Sequence, residues 1–161
     1  MIGNLLRVTT SELESYLANS VLLEERIYND ASYEQDPNLV DIDKSWDGIL
    51  FLLTGSSLED TDHPLASVLF SNEIIDENQD LGYGPASYVT AAQVRELHEK
   101  ISKITMEELR ENYHPEKMND VYPSIWGEQE ELDYLIEYFK IVQQTYAQAS
   151  ANGEAIITFI N

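Results

Sequence analysis

A long amphipathic segment near the C-terminus constrains the fold more than any other part of this chain. Apolar residues recur at helical spacing over residues 128–150 and predict one buried stripe: Leu132, Leu135, Ile136, Phe139, Val142 and Tyr146. Gly153 is placed to end this helix, and the apolar residues 155–160 predict a terminal strand. Such a helix needs a sheet or other helices against which to bury its stripe.

The remaining segments predict short strands and helices around that long helix. Residues 2–9 and 86–89 have the composition of strands, whereas the apolar segment 65–75 fits either a strand or a buried helix. Three capping-box pairs predict helix starts: Ser11 with Glu14, Thr90 with Gln93, and Thr105 with Glu108. The strand candidates are too few for a doubly wound sheet. We therefore predict a single α+β domain over residues 1–161, with a small mixed sheet packed by several helices.

The charge balance of the chain restricts its partners. Nine Lys and Arg residues against thirty Asp and Glu residues give a net charge of −21, and no lysine or arginine lies between Lys44 and Arg95. Because nucleic-acid affinity comes mainly from basic residues that displace counterions, we expect no nucleic-acid partner. A basic protein is the natural partner, because opposite potentials accelerate encounter. The alternative interpretation is that the net charge only maintains solubility.

Composition also limits the chemistry and the location of the chain. The absence of cysteine excludes disulfides, thiolate catalysis and sulfur-ligated zinc, and we expect no cofactor and no metal. The longest apolar run, residues 49–53, is far shorter than the ~20 residues that span a bilayer, so we expect no membrane partner. These features, with no secretory signal in residues 1–7, predict a cytoplasmic protein.

Residues 41–55 place polar groups at the opening of an apolar helix. The candidate binding residues there are Asp41, Asp43, Lys44, Trp46 and Asp47. Asp43 is expected to cap the helix, and the alternative is that the three aspartates converge on a cation or on a basic group of a ligand. Lys44 either pairs with Asp41 or contacts an anionic ligand, and Trp46 begins the apolar stripe.

Three aromatic residues complete the set of candidate binding residues. Tyr83 lies in an irregular segment, residues 81–85, because two glycines and a proline are unfavourable within a helix. Tyr83 and Tyr88 are candidates for lining a pocket, since loops between ordered elements often carry binding groups. Trp126 follows Pro123 and precedes Gly127, a setting that favours partial exposure.

Three sequence blocks carry a resemblance to a known family. They are residues 1–8, residues 41–55, and residues 81–86 followed by Tyr-Pro-Ser-Ile-Trp at 122–126. Together they resemble the YfbM-like family of bacterial proteins, a domain of unknown function. The resemblance implies an α+β fold and a bacterial cytoplasmic protein, and it supplies no activity or catalytic residue. The chain departs from the family pattern at Asp47, where relatives often have histidine, and at Ser87, where arginine is common.

Two hypotheses of function follow from the sequence. The leading one is a non-enzymatic interaction or inhibitor-type protein that binds a basic partner. The alternative is a small hydrolase or transferase with its pocket between the start of the Asp43 helix and the Tyr83 loop. Asp43 or Asp47 would then act as general base, with Lys44 holding the substrate. The oligomeric state is left open by the sequence.

Overall fold

A four-stranded sheet separates two groups of helices in the computed structural model, which describes residues 1–28, 36–57 and 62–161. The strands and α-helices within these ranges are, in chain order, β1 (Gly3–Val8), α1 (Thr10–Ala18), α2 (Val21–Tyr28), β2 (Leu39–Asp41), α3 (Trp46–Thr54), β3 (Ser87–Val89), α4 (Ala91–Ile101), α5 (Met106–Glu111), α6 (Gln129–Asn152) and β4 (Ala155–Ile160). Short 3₁₀ turns occupy Asp43–Ser45, Pro64–Val68 and Pro115–Lys117. The α+β prediction is confirmed.

The sheet has the strand order β2-β1-β4-β3, and all three pairings are antiparallel. The prediction of a mixed sheet is therefore wrong in strand direction. The connection from β1 to β2 contains two helices, and Arg26 at the end of α2 pairs with Glu12 at the start of α1. Leu39 at the start of β2 lies opposite Leu6 near the end of β1, so the chain re-enters the sheet at the end where β1 left it, and β2 runs opposite to β1.

The two central strands are buried on both faces. β1 and β4 pair along their whole length, from Gly3 opposite Ile160 to Val8 opposite Ala155, and every residue in both strands is buried. One face, including Leu5 and Ile156, packs against α3, α4 and α6. The other, including Leu6 and Ile157, packs against α1 and α2. Burial on both faces explains why these strands are almost continuously apolar instead of alternating.

Helix α6 has the buried stripe that its sequence predicts. All six predicted core residues between Leu132 and Tyr146 are buried. The buried Tyr146 hydroxyl donates a hydrogen bond of 2.8 Å to the Val68 carbonyl oxygen, which ties α6 to the Pro64–Val68 turn. Gly153 ends the helix in the left-handed conformation, with φ of 68°.

Several local predictions differ from the structure. The capping box of α1 is Thr9 with Glu12, not Ser11 with Glu14, because the helix begins directly after β1. The boxes at Thr90 and Thr105 are confirmed. Segment 65–75 is neither a strand nor a long helix, but a 3₁₀ turn followed by an irregular segment in which Ile74 bridges to Ser87. The sequence analysis missed α2 and β2.

The left-handed end of α6 leads to a test of stability. Gly153→Ala should lower the free energy of unfolding by about 1 to 2 kcal/mol, because a side chain disfavours this conformation. Gly127→Ala is the matched control, since an added Cβ meets open space at both positions and only Gly153 has a positive φ. Urea denaturation of both variants would measure the difference, and equal effects would contradict the argument.

Candidate functional site

A groove lies where the Asp43–Ser45 turn, the segment 122–126 and the first turns of α6 meet. Its volume is about 290 Å³, and its lining residues are Asp43, Lys44, Pro123, Ile125, Glu130, Glu131 and Tyr134. Pro123, Ile125 and the ring of Tyr134 supply apolar surface, whereas three carboxylates and one lysine supply charge. A concave surface with apolar walls and a few polar groups is the usual form of a binding site.

The carboxylate of Asp43 is fixed within this groove by local hydrogen bonds. The Asp43 backbone N–H donates to Asp41 Oδ1 over 2.6 Å, and Asp43 has a φ of 50°. Its Oδ2 accepts a hydrogen bond of 3.0 Å from the Tyr134 hydroxyl. Burial raises the pKa of Tyr134, and the bond to Asp43 raises it further, so this hydroxyl remains a donor at neutral pH. Asp43 is thus held by a side chain from α6.

The prediction that Asp43 caps the helix is wrong. Ser45 is the N-cap of α3 and makes no side-chain capping bond, while Ile42 precedes the 3₁₀ turn. The chain enters α3 through that turn, which leaves Asp43 outside the α-helix. For the same reason Asp43 and Asp47 do not form the helical i, i+4 pair that the sequence suggests.

Asp47 is a buried structural carboxylate. It lies in the first turn of α3, is 4% exposed, and its Oδ2 accepts a hydrogen bond of 2.8 Å from the Tyr122 backbone N–H. This bond joins the start of α3 to the segment that forms one wall of the groove. The predicted convergence of Asp41, Asp43 and Asp47 on one ligand is not what the structure shows, because Asp47 faces the interior and binds the backbone.

Both tryptophans pack against segments that carry the residues of the groove. Trp46 is buried, stacks on Tyr122 at 5.4 Å between ring centroids, and meets Phe70 edge-on. Trp126 is half-buried, and its Nε1 donates to the Val121 carbonyl oxygen over 2.9 Å. Its ring also lies so close to Gly48 in α3 that a Cβ there would approach it to 2.9 Å. These contacts assign packing roles to Trp46 and Trp126.

The segment 122–126 presents an apolar side chain beside the carboxylates. The Tyr122–Pro123 peptide bond is cis, and Ser124 has a φ of 61°. Asp43 and Ser124 are the two non-glycine residues with positive φ in the described part of the chain, and both border the groove. Ile125, next to Ser124, is 58% exposed. A positive φ at a non-glycine residue is an unfavourable backbone conformation, and such conformations tend to occur at functional sites.

Tyr83 and Tyr88 lie away from the groove. Tyr83 is 59% exposed on a turn where Asp80 Oδ1 accepts the backbone N–H groups of Gly82 and Gly84. Leu81 of that turn packs with α1 and α2, on the face of the sheet opposite α3. The Tyr88 hydroxyl donates to Glu73 over 3.3 Å. The structure therefore does not bring either tyrosine together with Asp43.

The long interval without lysine or arginine does not form the groove. Within the described residues Asp47 is buried, and Asp76 and Asp80 hold turns on the side of Tyr83, while Glu59 and Asp60 lie outside the described residues. The groove takes Asp43 from before that interval, and Glu130 and Glu131 from far beyond it in sequence. The sequence analysis missed these two glutamates, Tyr134 and Ile125. Of the four, only Ile125 lies in a segment that the sequence analysis had singled out, the Tyr-Pro-Ser-Ile-Trp block.

Lys44 is exposed at the groove, where it belongs to the lining. Across residues 1–28, 36–57 and 62–161 it makes no ion pair, so the predicted bridge to Asp41 is not found. The same described residues contain no group of three or more His, Cys, Asp or Glu side chains that could hold a metal ion. None of the helices described has both the length and the apolar character needed to cross a membrane.

Comparison with known proteins places the whole fold in one family. Residues 1–159 match the family model DUF1877, described as a domain of unknown function. The chain belongs to this family. The crystal structure of YfbM from Escherichia coli, a protein of unknown function, matches this DUF1877 chain with a TM-score of 0.77 at 17% identity, over 98% of each chain. This likeness shows the fold alone and confirms the resemblance to YfbM. No curated protein matches the chain.

The buried carboxylate of Asp47 leads to a second test of stability. Asp47→Ala should lower the free energy of unfolding by about 2 to 3 kcal/mol, because it leaves the Tyr122 N–H without its charged acceptor. Asp120→Ala removes an exposed carboxylate from the neighbouring segment and should change stability by less than about 0.5 kcal/mol. Thermal and urea unfolding would compare the two variants. Similar losses would show that Asp47 has no special structural role.

Proposed function

We propose that this DUF1877 protein is a non-enzymatic interaction module of inhibitor type, which binds a basic segment of a partner protein in the groove beside Asp43. The observation that carries the proposal is the lining of this groove, where three carboxylates surround apolar walls and Lys44 is the one basic side chain. The alternation of charge and apolar surface suits a peptide that presents cationic and apolar side chains together.

The charge of the whole molecule supports such a partner. A net charge of −21 generates a negative potential that accelerates the approach of a basic surface and repels phosphate groups. Nucleic acids and anionic membranes are for this reason poor candidates. Long-range attraction is screened by salt over about 10 Å at 0.1 M, so it sets the rate of encounter, while the groove supplies the specific contacts.

The enzymatic alternative has less support from the geometry. A general base needs a carboxylate that is free to take a proton from a substrate. Asp47 is buried against the Tyr122 backbone, and Asp43 has one oxygen occupied by the Tyr134 hydroxyl, which leaves a single oxygen for a substrate. The groove joins Asp43 and Lys44 to α6, not to the Tyr83 loop on which the hydrolase or transferase hypothesis depends.

The proposed setting is the cytoplasm of a bacterium. The family assignment and the structural likeness to a protein from Escherichia coli support a bacterial source. A cytoplasmic location agrees with a chain that contains no cysteine and depends on no disulfide.

Binding of a short fluorescent peptide that alternates basic and leucine residues would test the proposal. We expect fluorescence anisotropy to show binding that weakens as salt rises from about 50 mM to about 300 mM, because screening shortens the attraction. The double variant Asp43→Asn/Glu130→Gln should weaken binding roughly fivefold, the effect of two partly exposed ion pairs.

A charge-matched double variant provides the control for that experiment. Glu99→Gln/Glu107→Gln removes two exposed carboxylates on α4 and α5, which do not line the groove. It should leave the affinity within about twofold of the original protein. Equal weakening by both double variants would show that net charge alone attracts the peptide. Absence of binding at low salt would contradict the proposed function.

A further inference from the structure

The groove has two features that distinguish between basic side chains, and both concern Tyr134. Its ring forms part of the apolar wall, and its hydroxyl fixes one oxygen of Asp43. The other oxygen of Asp43 has no hydrogen bond from the described residues. It is therefore available to a ligand in a fixed orientation.

We infer that the group bound in the groove is an arginine side chain, followed in the partner by an apolar residue that contacts Ile125. This inference rests on the proposed function and names the ligand that the same groove selects. Its basis is the juxtaposition of an aromatic ring, an oriented carboxylate and two further glutamates around one apolar-walled groove.

A guanidinium fits this arrangement better than an ammonium for a geometric reason. Arginine presents five N–H donors in a planar fork, so one side chain can bond to two carboxylates at once. Asp43 lines the groove together with Glu130 and Glu131 from the start of α6. Glu131 Oε2 accepts the Glu128 backbone N–H, which orients that carboxylate as well. A lysine ammonium has its three donors on a single nitrogen atom.

Hydration also favours arginine. A ligand group in this groove loses part of its hydration shell when it packs against Pro123, Ile125 and the Tyr134 ring. A guanidinium is more weakly hydrated than an ammonium, and it stacks on aromatic faces. Tyr134 is held by Tyr138, whose ring lies edge-on at 4.9 Å between centroids. The stacking surface is therefore fixed before the ligand arrives.

Ile125 identifies the second element of the ligand. It is a large apolar side chain, mostly exposed, and it is the outermost apolar member of the groove lining. An apolar side chain that follows the arginine would cover it and remove its surface from water. The contribution is roughly 25 cal/mol for each Å² of apolar surface buried.

Three peptides of one sequence would test the inference, with arginine, lysine or the neutral arginine analogue citrulline at the same positions. We expect the arginine peptide to bind at least about fivefold more tightly than the lysine peptide, and the citrulline peptide to bind weakest. Binding should shift the backbone amide NMR signals of Asp43, Ile125 and Glu130, which would locate the peptide in the groove.

Two tyrosine variants separate the role of Tyr134 from a general effect on folding. Tyr134→Phe keeps the ring and removes the bond to Asp43, so it should reduce the ratio of arginine to lysine affinity. Tyr138→Phe removes a neighbouring hydroxyl that does not line the groove and should leave the ratio unchanged. Matching thermal unfolding curves would show that both variants keep the fold.

The outcomes distinguish the inference from the proposed function. If the lysine peptide binds as tightly as the arginine peptide, the selection of arginine is wrong and the basic partner stands. If both tyrosine variants change the ratio equally, the role of the Tyr134 hydroxyl in that selection is wrong. If neither peptide binds at low salt, the proposed function fails as well. Signals that shift only outside the groove would also overturn the inference.

Discussion

The pairing of β1 with β4 is the interaction on which the rest of the structure depends. These two strands form the centre of the sheet, and each face of the pair is the floor of a separate apolar cluster. Helices α1 and α2 bury Leu13 and Leu23 in the cluster on one face of this pair, and α6 packs against the opposite face. The edge strands are only three residues long and add little independent support. A change that loosened the central pair would separate both layers.

The long amphipathic elements could be predicted from the sequence because one local pattern specifies each of them. Helix α6 combines six predicted apolar positions at helical spacing, all of them buried, with a glycine stop, and the strand after it is apolar except for Thr158. Helices α4 and α5 begin at boxes that satisfy their own free N–H groups. Strand β2 was missed because its three residues, partly or fully exposed, show no clear apolar pattern. The direction of each strand depends on the end of the sheet at which the preceding connection re-enters it, which periodicity does not reveal.

The groove could not be predicted because it is assembled from two parts of the chain that are far apart in sequence, residues 43–44 and residues 123–134. Residues 41–47 look like the start of a helix, yet the positive φ at Asp43 turns the chain before α3 begins. This turn sends Asp43 to Tyr134 and Asp47 to Tyr122, although the two aspartates are close in sequence. Side chains such as Glu130 look like ordinary exposed residues of a helical first turn. Whether such side chains line a groove depends on which segment the fold places opposite them.

The position of β4 along the chain has a consequence for how this protein is made. The residues that pair in the two central strands are far apart in sequence, from Gly3 with Ile160 to Val8 with Ala155. During synthesis β1, α1, α2 and β2 leave the ribosome long before residues 155–160, so β1 lacks its longest pairing and the cover of α6 until then. Folding is therefore expected to be slow for a domain of this size, because the central pairing joins residues so far apart.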